Sequence, residues 1–421
     1  MKNKSRNSIN SKYLLKASSL INAIFICVII SVFSGCFILI SHYQNVLNDR
    51  LYLQEDLINK NESAFHYFLN NNELVSYNDV KEIYVFDDDI PSFIEKKNWG
   101  FYDILICKTV FKNDTISKTV LVGSIKKAID NFALYVTDYD KPLKLSGNTK
   151  VSGNIEIPNG RIEQAYINGQ KGNAINLKGQ QLKSKDKLPK IDKVIDIDVS
   201  GLPRLSFNTI NEEKIHINGF DRDTKVIDLN GITSLKDISY KGNFILYSIN
   251  DLEIDSSVTL HDVVVMAPVI KIESGFKGNI QIIATSEVVI EENVSLMYPS
   301  SIYIKNDTDI VSIEIKKNST LVGGIVIDGD TYNNSLERKL FINESATIIG
   351  NVYCYGSTEL KGSIIGSLYT DRFFLNTEAS NYENIILNAS INKDKLPDNF
   401  VELPLFNNSS NKKKYAVIKE F

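Results

Sequence analysis

Between Leu252 and Gly366 the apolar residues return at an interval of eighteen. Ile254, Ile272 and Ile290 are each eighteen apart, and Ile342 and Leu360 repeat the interval. Ile315 follows Ile290 by twenty-five and Ile342 follows Ile315 by twenty-seven, so two of the six rungs carry short insertions. Taking these six residues as the zero of each rung, Leu252, Ile270, Val288, Ile313, Leu340 and Thr358 stand two earlier, and Leu260, Gly278, Leu296, Leu321, Ile348 and Gly366 stand six later. Ten later come Val264, Ile282, Ser300, Ile325 and Val352, and twelve later Met266, Ala284, Ile302, Ile327 and Cys354. Residues two apart share one face of a strand, so these are inward-facing pairs. Pairs every six residues predict three faces per turn, stacked at a strand spacing of about 4.8 Å. The expected fold is mainly β: a three-sided parallel β-helix, or β-solenoid, of 18-residue rungs, in which each rung buries its apolar side only against its neighbours. The pattern fits either handedness.

The same reading divides the whole chain. Residues 1–16 carry five basic residues and no acid, and 17–41 are continuously apolar apart from small or uncharged residues. About 20 such residues cross a bilayer core, and the basic flank predicts a cytoplasmic N-terminus with the bulk of the chain extracytoplasmic. Residues 42–72 show apolar positions at intervals of three and four, predicting an amphipathic helix packed on its own domain, or alternatively an oligomerising stalk. Residues 73–140 read as a small α+β module, with strands at Glu82–Phe86, Tyr102–Phe111 and Thr115–Val122, the last two joined by a hairpin turn at 112–114. The β-solenoid is expected over 141–374. Leu145, Val151 and Ile157, six apart, lay down a first rung, and an irregular insertion near 180–207 loses the pattern. Residues 375–421 are expected to form a C-terminal cap over the open end of the stack.

Composition changes little in this picture. The 421 residues are 43% hydrophobic and 23% charged, with a formal net charge of -4. A body without a basic field makes nucleic acid an unfavourable partner. Four scattered cysteines make no disulfide framework, and each reads as a small buried apolar residue.

Candidate chemistry is sparse. The two insertions follow the same rung position, so Asp307 and Asp309 should neighbour Asp328, Asp330 and Tyr332 at one corner. Carboxylates beside an aromatic could bind a sugar or a calcium ion; the alternative is two solvated loops with ordinary turn residues. The run Asp87-Asp88-Asp89 allows the same two readings. His261 is the one histidine in the regular block and is expected on the outer surface. Nucleophile elbow, phosphate loop, dinucleotide fingerprint and metal-ligand spacing are all missing, so neither a catalytic residue nor a cofactor is expected.

Three resemblances add to this. The segment 346–356, ATIIGNVYCYG, followed by 360–368, LKGSIIGSL, resembles the polymer-forming β-helix of bactofilins, in which glycines precede outward-turning corners and rungs assemble end to end. Together with the entry at 142–170 and the segment LPDNFVELP at 396–404, the arrangement is similar to membrane-anchored β-helix proteins of the Bacteroidetes. The segment KASSLIN at 16–22 resembles the processing region of type IV pilin-like proteins. That resemblance implies a leader cut between Ala17 and Ser18, with Asn22 where most pilins have Glu. A lipoprotein signal ending at Cys36 is a further alternative, but Phe33 is a poor residue there and the apolar run continues past Cys36. The reading that results is a non-catalytic, membrane-anchored structural or assembly protein of the bacterial envelope, partnered by envelope proteins or by itself. A minor-pilin-like component and a polysaccharide-binding or polysaccharide-cleaving β-helix protein stand as alternatives.

Overall fold

A computed structural model describes residues 17–71, 75–86, 90–124, 132–172, 176–191, 195, 197–210, 213–306, 310–329, 337–406 and 415–421. The chain is mainly β, with one long helix at its N-terminal side. Asp87, Asp88 and Asp89 lie outside the described residues.

The helix is unbroken from Ala17 to Asn70, so the apolar and amphipathic segments are one element. An eighteen-residue window within it has a mean hydropathy of 2.9 and none of that window is buried, as suits a single membrane span or a signal sequence. Only from Leu57 onward does the helix acquire a buried face. Leu57, Ala64, Phe65 and Phe68 are buried, and the last three of these pack with Ile94, Leu105, Cys107, Val120 and Val122 of a small sheet. Asn61 adds a polar clasp, its Nδ2 donating to the Cys107 carbonyl at 3.0 Å and to Thr109 Oγ1 at 3.1 Å.

That sheet is antiparallel and five-stranded, in the order Val80–Ile83, Ser92–Trp99, Tyr102–Phe111, Asp114–Ser124 and Tyr415–Glu420. The strand Ser92–Trp99 alternates buried and half-buried residues along most of its length, a period-2 signal that its two adjacent lysines obscure in the sequence. The fifth strand comes from the far end of the chain.

The main body is a 22-stranded sheet built mostly of parallel pairings, with a parallel three-stranded sheet of Ile385–Leu387, Leu143–Ser146 and Ile162–Gln164 and a two-stranded hairpin at 166–171 beside it. The eighteen-residue interval is its register: Ile254 pairs Ile272, Ile272 pairs Ile290, Ile290 pairs Ile315, Ile315 pairs Ile342 and Ile342 pairs Leu360. Lys305 pairs Asp328 and Val311 pairs Arg338, so the strands that flank the two insertions are neighbours, while residues 307–309 and 330–336 of the insertions lie outside the described residues. The inward positions ten and twelve after each zero hold for Ile282 and Ala284, Ile325 and Ile327, and Val352 and Cys354, all buried in the main core. Two rungs depart from the expectation. Val265 and Ala267 take the inward places where Val264 and Met266 were expected, after a register shift at His261/Val263. Ile302 and Ile304 replace Ser300 and Ile302, after a shift between Leu296 and Ser300. An extra corner residue moves the side chains that follow it until a second shift compensates, as at Ala267/Val269, because side-chain direction alternates with a period of two.

The order of the stack differs from the order of the chain. One ladder runs Leu205, Ile227, Leu246, Val265, Ile282, Ile302, Ile325, Val352, Leu368, and then Leu134, Ile155 and Gln181. The rung expected to open the stack near Pro142 therefore sits beyond its sequence-distant end, separated from 363–376 by the strands at 132–136 and 390–392. The insertion near 180–207 is the return connection. Eleven pairings separate Gln181 from Leu205, roughly 53 Å at about 4.8 Å each, and the twenty residues from 184 to 203 reach roughly 66 Å if extended. This strap lays Leu188, Ile191, Ile195 and Val199 along the flank of the stack.

Residues 375–421 do not form the expected end cap. Ser390–Asn392 is inserted as a rung between Ser363–Asn376 and Lys150–Ser152, and Ile385–Leu387 pairs with Leu143–Ser146. Leu403 and Leu405 pack on the flank, and Tyr415–Glu420 joins the small sheet. The terminal strand at that end is Gln181–Lys183 instead.

A candidate cleft on the flank of the stack

Outward-facing residues of the ladder just described carry an aromatic stripe. Tyr303 pairs Val326, Val326 pairs Tyr353, Tyr353 pairs Tyr369 and Tyr369 pairs Tyr135. The strap is pinned over one end of this stripe: the Tyr135 hydroxyl donates to the Lys187 carbonyl at 2.9 Å and accepts from the Lys185 amide at 3.2 Å. Farther along, the turn of the small sheet is clamped by Gln281, whose Oε1 accepts from the Phe101 amide at 2.9 Å while its Nε2 donates to the Trp99 carbonyl at 2.8 Å. Between strap and stripe remains a cleft of about 340 Å³, lined by Tyr139, Asp186, Lys187, Leu188, Lys190, Asp328, Gly329, Tyr353, Tyr355 and Asp371.

Three lining residues come from one rung position. Asp328, Tyr355 and Asp371 each follow by one a residue of a single ladder, namely Ile327, Cys354 and Thr370. The two carboxylates are therefore two rungs apart, roughly 10 Å along the stack, with Tyr355 in the rung between. Asp371 is 2% exposed. Its Oδ1 accepts from Thr137 Oγ1 at 2.9 Å, and its Oδ2 has no hydrogen-bond partner among the described residues. Burial raises its carboxyl to about 6, opposed by the Thr137 hydrogen bond, by the charges of Arg372 and Arg338, and by a weaker hydrogen bond from the Tyr139 hydroxyl. Asp328 is also buried; its Oδ1 accepts from the Gly329 amide at 2.8 Å. The Tyr353 hydroxyl is held well above its ordinary range by burial first, then by the charges of Asp328 and Asp371.

Two guanidinium groups brace the rings. Arg338 lies over Tyr355 at 5.4 Å and donates from Nε and Nη2 to the Asn306 carbonyl, while Arg372 lies over Tyr139 at 5.0 Å. Such cation–π contacts fix ring orientation.

Of the corner cluster expected from sequence, Asp328 is in the cleft, while Asp307, Asp309, Asp330 and Tyr332 lie outside the described residues. Among the described residues no group of three or more potential ligands could hold a metal ion. Ala17 and Ser18 open the long helix. His261 is half-buried and bonded through Nδ1 to Asn279 Oδ1 at 2.8 Å; Asn279 Nδ2 donates to Asp262, which also receives Lys419 of the last strand. That network ties the C-terminal strand to the stack. All four cysteines are free, with Cys107 and Cys354 in separate cores, while Cys27 and Cys36 are exposed on the helix, where buried positions were expected. Sequence reading missed Asp371 and Tyr139, although Asp371 was recoverable as the residue after Thr370, one rung beyond Cys354.

No family model, no curated protein and no solved structure matches this chain.

Proposed function

We propose that this chain is a single-pass membrane protein with a cytoplasmic N-terminus, whose extracytoplasmic body is a three-sided parallel β-solenoid serving as a non-catalytic structural or assembly element of the bacterial envelope. The observation that carries the reading is the continuous helix. Leu20, Ile21, Phe25, Phe33, Phe37 and Ile38 are all more than half exposed, an apolar surface that water disfavours and lipid covers. The same helix continues through 41–56 with almost all of its residues exposed, about 24 Å of rigid spacer, before docking on the small sheet. The body is thereby held at a set distance from the bilayer.

The solenoid reading is supported by the eighteen-residue parallel register and by three sets of stacked apolar residues closing on one core. Short terminal strands of three and four residues, Arg204–Ser206, Gln181–Lys183 and Ile215–Asn218, limit edge-to-edge pairing and favour a finished body over a filament subunit.

The test is topological. Intact cells carrying Lys4→Cys or Tyr166→Cys are treated with a membrane-impermeant maleimide, after opening the outer barrier where one exists. Labelling at 166 and protection at 4 is the expected result; labelling at 4 with protection at 166 overturns the orientation. A minor-pilin-like role is the second reading, favoured because one helix both supplies the apolar segment and packs on the body. Mass spectrometry of the mature protein decides it: a new N-terminus at Ser18 supports that reading, and an intact leader removes it.

A further inference from the structure

We propose that the cleft between the strap and the tyrosine stripe binds a neutral sugar unit of a glycan, with Tyr355 and Tyr139 as stacking surfaces and Asp371 and Asp328 as acceptors for its hydroxyls. The inference does not depend on the membrane reading.

Size comes first. At about 340 Å³ the cleft lies at the lower end of the range for small-molecule pockets, which suits one pyranose ring with its neighbours running out to solvent. Its lining is mixed in a specific way. Aromatic rings offer flat apolar faces of the kind that pack against the C–H face of a pyranose, and Arg338 and Arg372 hold the Tyr355 and Tyr139 rings in place. Acidic Asp186, Asp328 and Asp371 are opposed by Lys187 and Lys190 in the lining, and Arg338 and Arg372 lie over the Tyr355 and Tyr139 rings. A cleft balanced in this way gives no field of one sign to select an anion or a cation. A neutral polyol, which donates and accepts at every hydroxyl, matches both kinds of group.

The most informative atom is Asp371 Oδ2. It is a buried acceptor on a residue that lines the cleft, and among the described residues it has no hydrogen-bond partner at ordinary distance, Tyr139 being the neighbouring hydroxyl that lowers the carboxyl. Leaving such an atom unpaired costs about 1–3 kcal/mol. A ligand hydroxyl donating to Oδ2 supplies the missing partner, and the bond to an ionised carboxylate is stronger than one between neutral groups.

The experiment uses the full chain in detergent. Native electrophoresis is run through gels containing mannan, xylan, dextran or laminarin, with the anionic polysaccharide alginate and a plain gel alongside. Retardation by at least one neutral polysaccharide is expected. Tyr355→Ala and Asp371→Asn should each weaken it about tenfold, with Tyr166→Ala, far from the cleft, unchanged. Thermal melts of each variant show that it is folded, and if Tyr355→Ala fails to fold, the isosteric Asp371→Asn decides alone. Migration identical to the plain gel in all four neutral gels overturns the proposal. So does retardation by alginate alone, or retardation that the folded cleft variants leave unchanged.

Discussion

Three glycines set the sharpest corner of the stack. Gly323, Gly350 and Gly366 hold φ of +143°, +130° and +147°, a region that side chains rarely adopt. They also lie directly over one another. A Cβ on Gly350 would stand 1.9 Å from the Gly323 carbonyl oxygen, and one on Gly366 the same distance from the Gly350 oxygen. Gly350→Ala is therefore expected to destabilise the stack by at least about 2 kcal/mol, combining backbone strain with a backbone clash that no rotamer relieves, and a denaturant titration measures it. Asp371 offers a second residue-level prediction. Its folded carboxyl titrates near 6, above its ordinary 3.8. A raised carboxyl contributes stability that is fully present below about 3.8 and lost as the pH rises through 6, an effect of about 3 kcal/mol at most. Asp371→Asn removes the ionisation while keeping the shape. Melting curves across pH should show the variant gaining on the wild type above pH 6 and matching it below pH 4; a pH-independent difference would contradict the assignment. The glycine corners were legible only through the resemblance to bactofilins, since Gly323 and Gly350 stand eight after their zero residues and Gly366 six after Leu360. Asp371 was not, because its significance comes from burial under a strap whose path the sequence does not show.

At the scale of elements, apolar periodicity was the reliable signal and its interruptions were the unreliable ones. Ile254 through Leu360 pair as their spacing predicts, because inward isoleucines must stack wherever each rung has only its neighbours to bury against. Met266 and Ser300 were misplaced because an added corner residue leaves no compositional trace, yet shifts the side chains of the strand segment that follows it. The helix was divided in sequence between an apolar and an amphipathic segment, since those halves meet different surroundings, though the backbone passes through both without a break. Its junction with the sheet gives the test at this scale. Asn61 is 2% exposed and donates to the Cys107 carbonyl and to Thr109 Oγ1. Asn61→Ala removes both donations and leaves a buried carbonyl short of a partner, at a cost of about 1–3 kcal/mol. Amide exchange should speed up in the strands around Cys107 and Thr109 and stay unchanged in the stack. Equal acceleration in both would mean that the sheet and the stack open together.

At the scale of the whole molecule, the chain closes on itself in a way that a simple repeat array does not. Rungs formed by 132–157 rest on those formed by 363–392, more than two hundred residues later, and the final strand returns to the sheet that the helix packs against. The repeat predicts which residues stack within a block; it carries no information about which end of the block an isolated early rung will join, because every rung edge presents the same backbone pattern. This arrangement makes the tail a stitch. Ile391 pairs with Ile364 on one side and Val151 on the other, and Ile386 pairs with Leu145. Burying those two isoleucines contributes about 3–6 kcal/mol. A chain ending after Asn376 loses that rung and the fifth strand of the small sheet, while the ladder from Leu368 through Leu134 to Ile155 keeps its members. Limited proteolysis of the truncated chain should therefore cut first within 143–183 and within the small sheet, with 311–360 resisting as in the full chain. Were the stack ordered as the sequence is, residues 143–183 would lie at the opposite end and keep their protection. Unchanged resistance there would overturn the stacking order, whereas selective loss would locate the first and last rungs side by side.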